Sequence, residues 1–419
     1  MSKVYLSFLG TTDYTPCSYF LGKQEVKNVK FVQEATVQFC CQNWTSNDRI
    51  VIFTTEEAFR KNWNDSNQLG LKHRIEQLKL NPSLKRIPIP EGKSREEIWE
   101  IFGLIFDQLS LNDEIVFDIT HGFRSIPMLA IIVLNYAKIM KNISIEKILY
   151  GALEALGSPQ EIKNIPSEQR RIPIVDLTEF DFLLDWSTAI DRFIRGGDAS
   201  AVETLALKTK LISQNKSTNI VSVLGRQLDT FTKIISTCRG TKITEVTKSL
   251  KEKINQCENF LKSLPPFFKP LVAKLKKEMS EFTEDNICNG IQTVKWCCEH
   301  NLIQQGYTIL METLISFLVR KIFNDLTDKK YREIASQAVT IFHNKIQENE
   351  WQPPSSEHPE ITKSYLECLK KYPELVEIYL VIKNYRNDIN HAGYRDSPMD
   401  AKKFAPKLKE LISKLENYL

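Results

Sequence analysis

Residues 113–141 read DEIVFDITHGFRSIPMLAIIVLNYAKIMK, and this stretch decides the fold. Asp113–Thr120 is a short apolar run of strand type. Ile126–Lys141 has helical character and is apolar on most faces, so a well-buried helix is expected. A strand running through a glycine-containing loop into a helix is half of a β-α-β unit. Upstream, Val4–Leu9 reads as a strand ended by Gly10, Phe31–Trp44 as a helix, and Arg49–Thr55 as a second strand. Ser94 followed by Glu97 is a capping-box pattern opening an amphipathic helix to about Leu109. Downstream, Ile145–Ala152 is another strand. Strands alternating with helices predict an α/β domain, a Rossmann-like parallel sheet covered by helices on both faces.

Past Asp176 the character changes. Helical segments follow at Phe182–Ile194, Ala201–Ser213, Val221–Ser236, Lys248–Leu264 and Pro270–Phe282, and then at Leu302–Asn324, Tyr331–Gln347 and Leu375–Asn390. Gln352–Glu360 (QPPSSEHPE) is a turn-rich loop. The pattern predicts an α/β domain over 1–176, an all-α connector over 177–290 and a C-terminal helical domain over 291–419.

Composition narrows the function classes. A net charge of +4 over 419 residues is too mild for a globally basic nucleic-acid binder, so any RNA contact must be local. The nine cysteines are odd in number and form no CxxC pair, which disfavours zinc and a disulfide framework and fits free thiols in a reducing cytosol. MSKVYLSFLG lacks a signal-peptide pattern. The longest apolar run, near Ile126–Ala137, falls short of the roughly 18 residues a membrane span needs. A cytoplasmic protein with no membrane partner is expected.

Three constellations carry chemistry. The first is the loop Gly10-Thr11-Thr12-Asp13-Tyr14 after the first strand. In open parallel sheets ligands bind beyond the carboxyl ends of strands. The hydroxyls of Thr11 and Thr12 suit phosphate oxygens, and Tyr14 suits a base; Thr54, ending the second strand, joins them. Taken alone, turn chemistry also accounts for these residues. The second is Thr120-His121-Gly122-Phe123-Arg124-Ser125, where a helix N-terminus meets solvent and forms a natural anion site. Thr120, His121, Arg124 and Ser125 are polar donors, and Gly122 lets backbone approach a ligand. There is neither GxGxxG nor GxxxxGK, so this is no dinucleotide fingerprint or P-loop.

The third is Arg386-Asn387-Asp388-Ile389-Asn390-His391, ending the helix whose apolar stripe is Leu375, Ile378, Tyr379, Ile382, Tyr385 and Ile389. Asn387 and His391 stand one turn apart on one face, and Gly393 stops the helix. RNA transesterification needs a group that takes the 2′-OH proton or gives one to the leaving 5′-oxygen, a task suited to histidine. A guanidinium stabilises the phosphate's growing charge. Asn387 orients either, and no metal is required. An R-x4-H string by itself is common, and a solvated helix end is the plain alternative.

Together these features resemble the CARF–HEPN ancillary ribonucleases of type III CRISPR systems. DITHGFRSIP (Asp118–Pro127) resembles that family's sensor motif and FLGTTDYTPCSYF (Phe8–Phe20) its first loop. WSTAIDRFIRGGD (Trp186–Asp198) and NLIQQGYTILMETL (Asn301–Leu314) are also similar, while residues 200–290 match no pattern. The resemblance implies a Rossmann-like sensor of cyclic oligoadenylates, cyclic tetra-adenylate foremost, as allosteric activator with no other cofactor. It implies a HEPN ribonuclease domain cutting single-stranded RNA through Arg386, Asn387 and His391. It implies a homodimer or higher homo-oligomer, with two sensors around one ring and two catalytic triplets in one cleft. Two other classes compete: a non-catalytic nucleotide sensor whose helical half binds a partner, and a nucleotide-cofactor enzyme with its chemistry in the α/β half.

Overall fold

The structure, a computed structural model, describes residues 1–64, 69–121, 125–212 and 216–418. The chain divides into two compact units, Met1–Leu183 and Leu184–Leu419, and the division falls inside helix Thr178–Gly196.

The first unit holds an eight-stranded sheet of β1 (Lys3–Leu9), β2 (Cys17–Leu21), β3 (Gln24–Val29), β4 (Arg49–Thr54), β5 (Ser83–Pro88), β6 (Glu114–Asp118), β7 (Ser144–Gly151) and β8 (Arg171–Asp176), in spatial order β3-β2-β8-β7-β6-β1-β4-β5. The block β5-β4-β1-β6-β7 is parallel, as the alternation implies. The other side departs from that expectation: β8 runs antiparallel to β7, β2 parallel to β8, and β3 antiparallel to β2, so the sheet is mixed.

β1 is central and buried on both sides, and its side chains alternate between two cores. Tyr5 and Leu9 join Ile50, Ile52 and Val116 beneath helices Val32–Cys41 and Leu71–Gln77. Val4, Leu6 and Phe8 join Val51, Phe53 and Phe117 beneath helices Arg95–Asp107 and Ser125–Lys141. The connections leaving β1 and β4 therefore cover one face, and those leaving β5 and β6 the other. Neighbouring β1 and β6 send their chains to opposite faces, which opens a crevice at their carboxyl ends.

Two local expectations need correction. Helix Ser125–Lys141 is not well buried all round: Ala130, Val133, Leu134 and Ala137 pack on the sheet, while Met128, Ile132, Tyr136, Ile139 and Met140 are exposed. The capping box at Ser94 is half formed, because Ser94 Oγ accepts from Glu97 N but the Glu97 carboxylate accepts from Lys93 N (2.8 Å).

The second unit is helical throughout its described residues. Its segments include helices Asn286–Glu299, Pro359–Lys371 and Phe404–Glu416, which the periodicity reading did not single out. Helices Ile303–Arg320, Glu374–Asn390 and Phe404–Glu416 pack on one another around Tyr307, Leu310, Leu314, Ile382 and Leu408. No helix among the described residues is long and apolar enough to cross a membrane.

Candidate functional site

The crevice at the carboxyl ends of β1, β4, β5 and β6 is a cavity of about 250 Å³. Phe8, Leu9, Phe53 and Ile89 give it an apolar floor, and Gly10, Thr11, Thr12, Thr55, Thr120 and His121 a polar rim. The rim rests on a buried carboxylate. Asp118, at the end of β6, is fully buried and accepts from Tyr5 Oη (2.9 Å), Thr36 Oγ1 (2.8 Å), Thr120 N (3.0 Å) and Thr120 Oγ1 (2.6 Å). Thr120 Oγ1 in turn accepts from Gly151 N (2.8 Å), which fixes its rotamer from two sides. Burial pushes the Tyr5 phenol well up, and the Asp118 charge adds to that, so Tyr5 stays a donor.

The loop after β1 is held from inside. Asn62 Nδ2 donates to the carbonyls of Gly10 and Thr12, both at 3.0 Å. Tyr14 packs between Phe31 and His121, with ring centroids 4.8 Å from each, and its Oη accepts from Gly10 N (2.9 Å). A Cβ at Gly10 would lie 2.9 Å from that oxygen, so a side chain there has no room. Burial holds the His121 imidazole down to about 4 against the opposing pull of Asp118, which makes the ring neutral at physiological pH. Its Nε2 is buried without a hydrogen-bond partner.

The second site is the end of helix Glu374–Asn390. Leu375, Ile378, Tyr379 and Ile382 bury the expected stripe, and Tyr385 stacks on Tyr307 at 5.5 Å. Arg386 and Asn387 are half-buried, and His391, the C-cap, is exposed with its amide on the Asn387 carbonyl (2.9 Å). Arg386 Nε is buried and has no hydrogen-bond partner. The Tyr379 phenol is pushed up by burial and eased down by Ser336 and the neighbouring Arg386 charge. Asp388, buried on the opposite side, accepts from Met399 N (3.1 Å) and pairs with Arg395 (3.5 Å), pinning the chain that follows His391.

Residues 4–154 match the family model described as CRISPR system endoribonuclease Csx1, CARF domain. The N-terminal unit carries a CARF domain. The chain is also 25% identical, over 352 residues and 81% of its length, to CRISPR-associated protein MJ1674 of Methanocaldococcus jannaschii. It spans 48% of that relative, about half its length. The N-terminal unit thus matches a CARF family model, in line with the resemblance read from its N-terminal motifs.

Within the CARF domain the crevice brings together Thr11, Thr12, Thr120 and His121. Tyr14 stands behind them as a brace, with its hydroxyl already engaged. Thr54 is fully buried and its Oγ1 accepts from Arg86 Nε (2.7 Å); the next residue, Thr55, lines the cavity instead. Gly122 and Arg124 lie outside the described residues, and of Ser125 only the helix position is described. Asn62, Thr36 and Tyr5, which support the rim, carry no signal that distinguishes them in sequence. Among the described residues, no group of three or more His, Cys, Asp or Glu is spaced to hold a metal ion.

Proposed function

We propose that the chain is a cyclic-oligoadenylate-activated, metal-independent endoribonuclease of type III CRISPR antiviral defence that cuts single-stranded RNA with Arg386, Asn387 and His391. CARF domains bind cyclic oligoadenylates, and the matched family model is named for an endoribonuclease. The rim hydroxyls of Thr11, Thr12 and Thr120 suit ring phosphates and the apolar floor an adenine; Arg124 and Ser125, assigned to the anion site from sequence, are proposed as further phosphate ligands.

The observation that carries the nuclease reading is the state of Arg386: a guanidinium nitrogen buried without a partner, on the helix that ends in the exposed His391 five residues on. A buried unpaired donor is costly unless a ligand completes it. Arg386 as a whole is only half-buried, and a scissile phosphate is a ligand that suits its guanidinium. The 2′-oxygen attacks phosphorus, His391 takes its proton or donates one to the departing 5′-oxygen, and Arg386 stabilises the added negative charge. Asn387 orients the phosphate or the imidazole.

The exposed apolar face of Met128, Ile132, Tyr136, Ile139 and Met140, flanked by Trp99, favours a homodimer through the CARF domains. That helix begins at the crevice loop, so a second copy on it brings two crevices around one ring. The test is labelled RNA incubated with cyclic tetra-adenylate and its ring-size relatives in EDTA. Cleavage only with activator supports the reading. Activator binding without cleavage makes the chain a sensor alone, and cleavage that needs an added divalent ion removes metal independence.

A further inference from the structure

The chain just past His391 holds one residue whose exposure is out of keeping with its type. Tyr394 is 90% exposed, the highest of any large apolar side chain among the described residues apart from the first methionine. Single exposed aromatics on mobile loops are unremarkable, but this one is held. Its amide donates to the His391 carbonyl (2.9 Å), and Arg395 N donates to the Gly393 carbonyl (2.9 Å). Ala392 and Gly393 both take positive φ, 52° and 74°, folding the chain back against the helix end. Arg395 reaches back to Asn384 Oδ1 (2.9 Å) and to the buried Asp388 carboxylate. That carboxylate also takes the amide of Met399. Asp388 is buried at some desolvation cost, and what its bonds secure is the position of residues 393–399. The segment they fix presents Tyr394 to solvent one tight turn from the histidine.

A solvent-facing phenol ring on a pinned backbone suits a planar apolar surface, and nucleobases of single-stranded RNA present such surfaces at every step. The exposed charges in this stretch are Lys383, Arg395, Lys402 and Lys403 against Asp396 and Asp400, a cationic excess that suits a polyanion. We propose that Tyr394 is the base-stacking platform of the nuclease site, holding a nucleobase next to the scissile phosphate and so determining RNA affinity and cut position. This rests on the ribonuclease reading. Stacking tolerates any base but favours purines for their larger face, so Tyr394 biases cleavage toward phosphates flanked by a purine.

The test uses the full chain. Steady-state cleavage by wild type, Tyr394→Ala, Tyr394→Phe and Tyr394→Trp is measured with saturating cyclic tetra-adenylate on one RNA of mixed sequence, with cut sites mapped. Alanine is expected to raise KM about five- to 150-fold with a smaller change in kcat, and to blur the cut pattern. Phenylalanine and tryptophan are expected to restore both, since the face and not the hydroxyl is used. In the His391→Ala background, RNA carrying 2-aminopurine is expected to be quenched on binding, and Tyr394→Ala to abolish that quenching. Wild-type cleavage with an alanine variant of unchanged KM, cut pattern and quenching overturns the platform and leaves the ribonuclease reading standing. Failure of the wild-type chain to cut RNA with any cyclic oligoadenylate overturns both.

Discussion

Removing the Asp118 carboxylate tests the scaffold under the sensor rim. Four donors converge on it. Two have alternatives: Tyr5 Oη lies 2.6 Å from Thr36 Oγ1, and Thr36 Oγ1 lies 3.2 Å from the Val32 carbonyl, so those hydroxyls can turn to each other and to the helix. Thr120 N and Thr120 Oγ1 have no second protein acceptor, though both are part-buried at the crevice rim. At roughly 1–3 kcal/mol for each buried donor left unsatisfied, and toward the low end where crevice water reaches it, Asp118→Ala should cost about 2–3 kcal/mol. Asp118→Asn keeps one oxygen for Thr120 and turns an amide toward hydroxyls that also accept, so its cost should be about 1–2 kcal/mol. The loss belongs to the first unit, so it should appear as a shift of one transition in urea unfolding followed by near-ultraviolet dichroism. Because Thr120 also lines the crevice, cyclic tetra-adenylate affinity measured by calorimetry should fall with the same ranking, alanine below asparagine. An alanine variant within about 0.5 kcal/mol of wild type would show that the carboxylate does not hold the rim.

The other expectations follow from the same geometry. His391→Ala should lower cleavage by about 10²–10⁴-fold without changing activator affinity, and Arg386→Lys should also be crippled because lysine keeps the charge but loses the planar fork; cleavage and calorimetry on the same preparations decide both. His121 is held down from its ordinary 6.5 to about 4, so between those pH values the unfolded chain binds a proton that the folded chain refuses. Stability should therefore drop as pH falls through that window, by at most about 3 kcal/mol, and His121→Gln should flatten the urea midpoint against pH. Ile132→Glu, which places a charge in the exposed apolar face, should halve the mass in sedimentation velocity and raise the activator concentration for half-maximal cleavage; an unchanged mass would move the dimer contact elsewhere.

The central sheet was legible because β1, β4 and β6 are continuous apolar runs whose alternate residues feed two cores. The outer strands were not, each for its own reason. β3, QEVKNV, is an edge strand left mostly exposed, and its charges read as loop. β5 carries Lys85 and Arg86, the latter lying over Phe59 at 3.7 Å, so a cation hides a strand residue. β8 contains Pro173, which fits because that strand pairs with β2 through its first half and with β7 through its second, and Pro173 falls where the pairing changes hands. The helix Ser125–Lys141 misled in the other direction. Its sequence is apolar enough for full burial, and a single chain provides a partner for one side only.

At the sites, sequence places hydroxyls and charges but does not say which are already spent. Thr54 and Thr55 are chemically alike and adjacent; the strand's alternation turns the first toward Arg86 and leaves the second at the cavity. Tyr14 reads as a stacking group, yet its phenol is consumed in holding Gly10, which makes it a brace for the loop carrying Thr11 and Thr12. The same accounting separates the two acidic residues that flank the chemistry. Asp118 and Asp388 are both buried; Asp118 accepts from four donors, while Asp388 accepts from Met399 N and pairs with Arg395. Each offsets the cost of burying a carboxylate by fixing backbone beside a candidate site: Thr120 at the crevice, the turn after His391 at the helix end. Among the described residues, His121 Nε2 in the first unit and Arg386 Nε in the second are two of the buried side-chain nitrogens left without a partner. On the proposed function, those two nitrogens gain a partner only if activator or RNA binding moves the side chains that cover them.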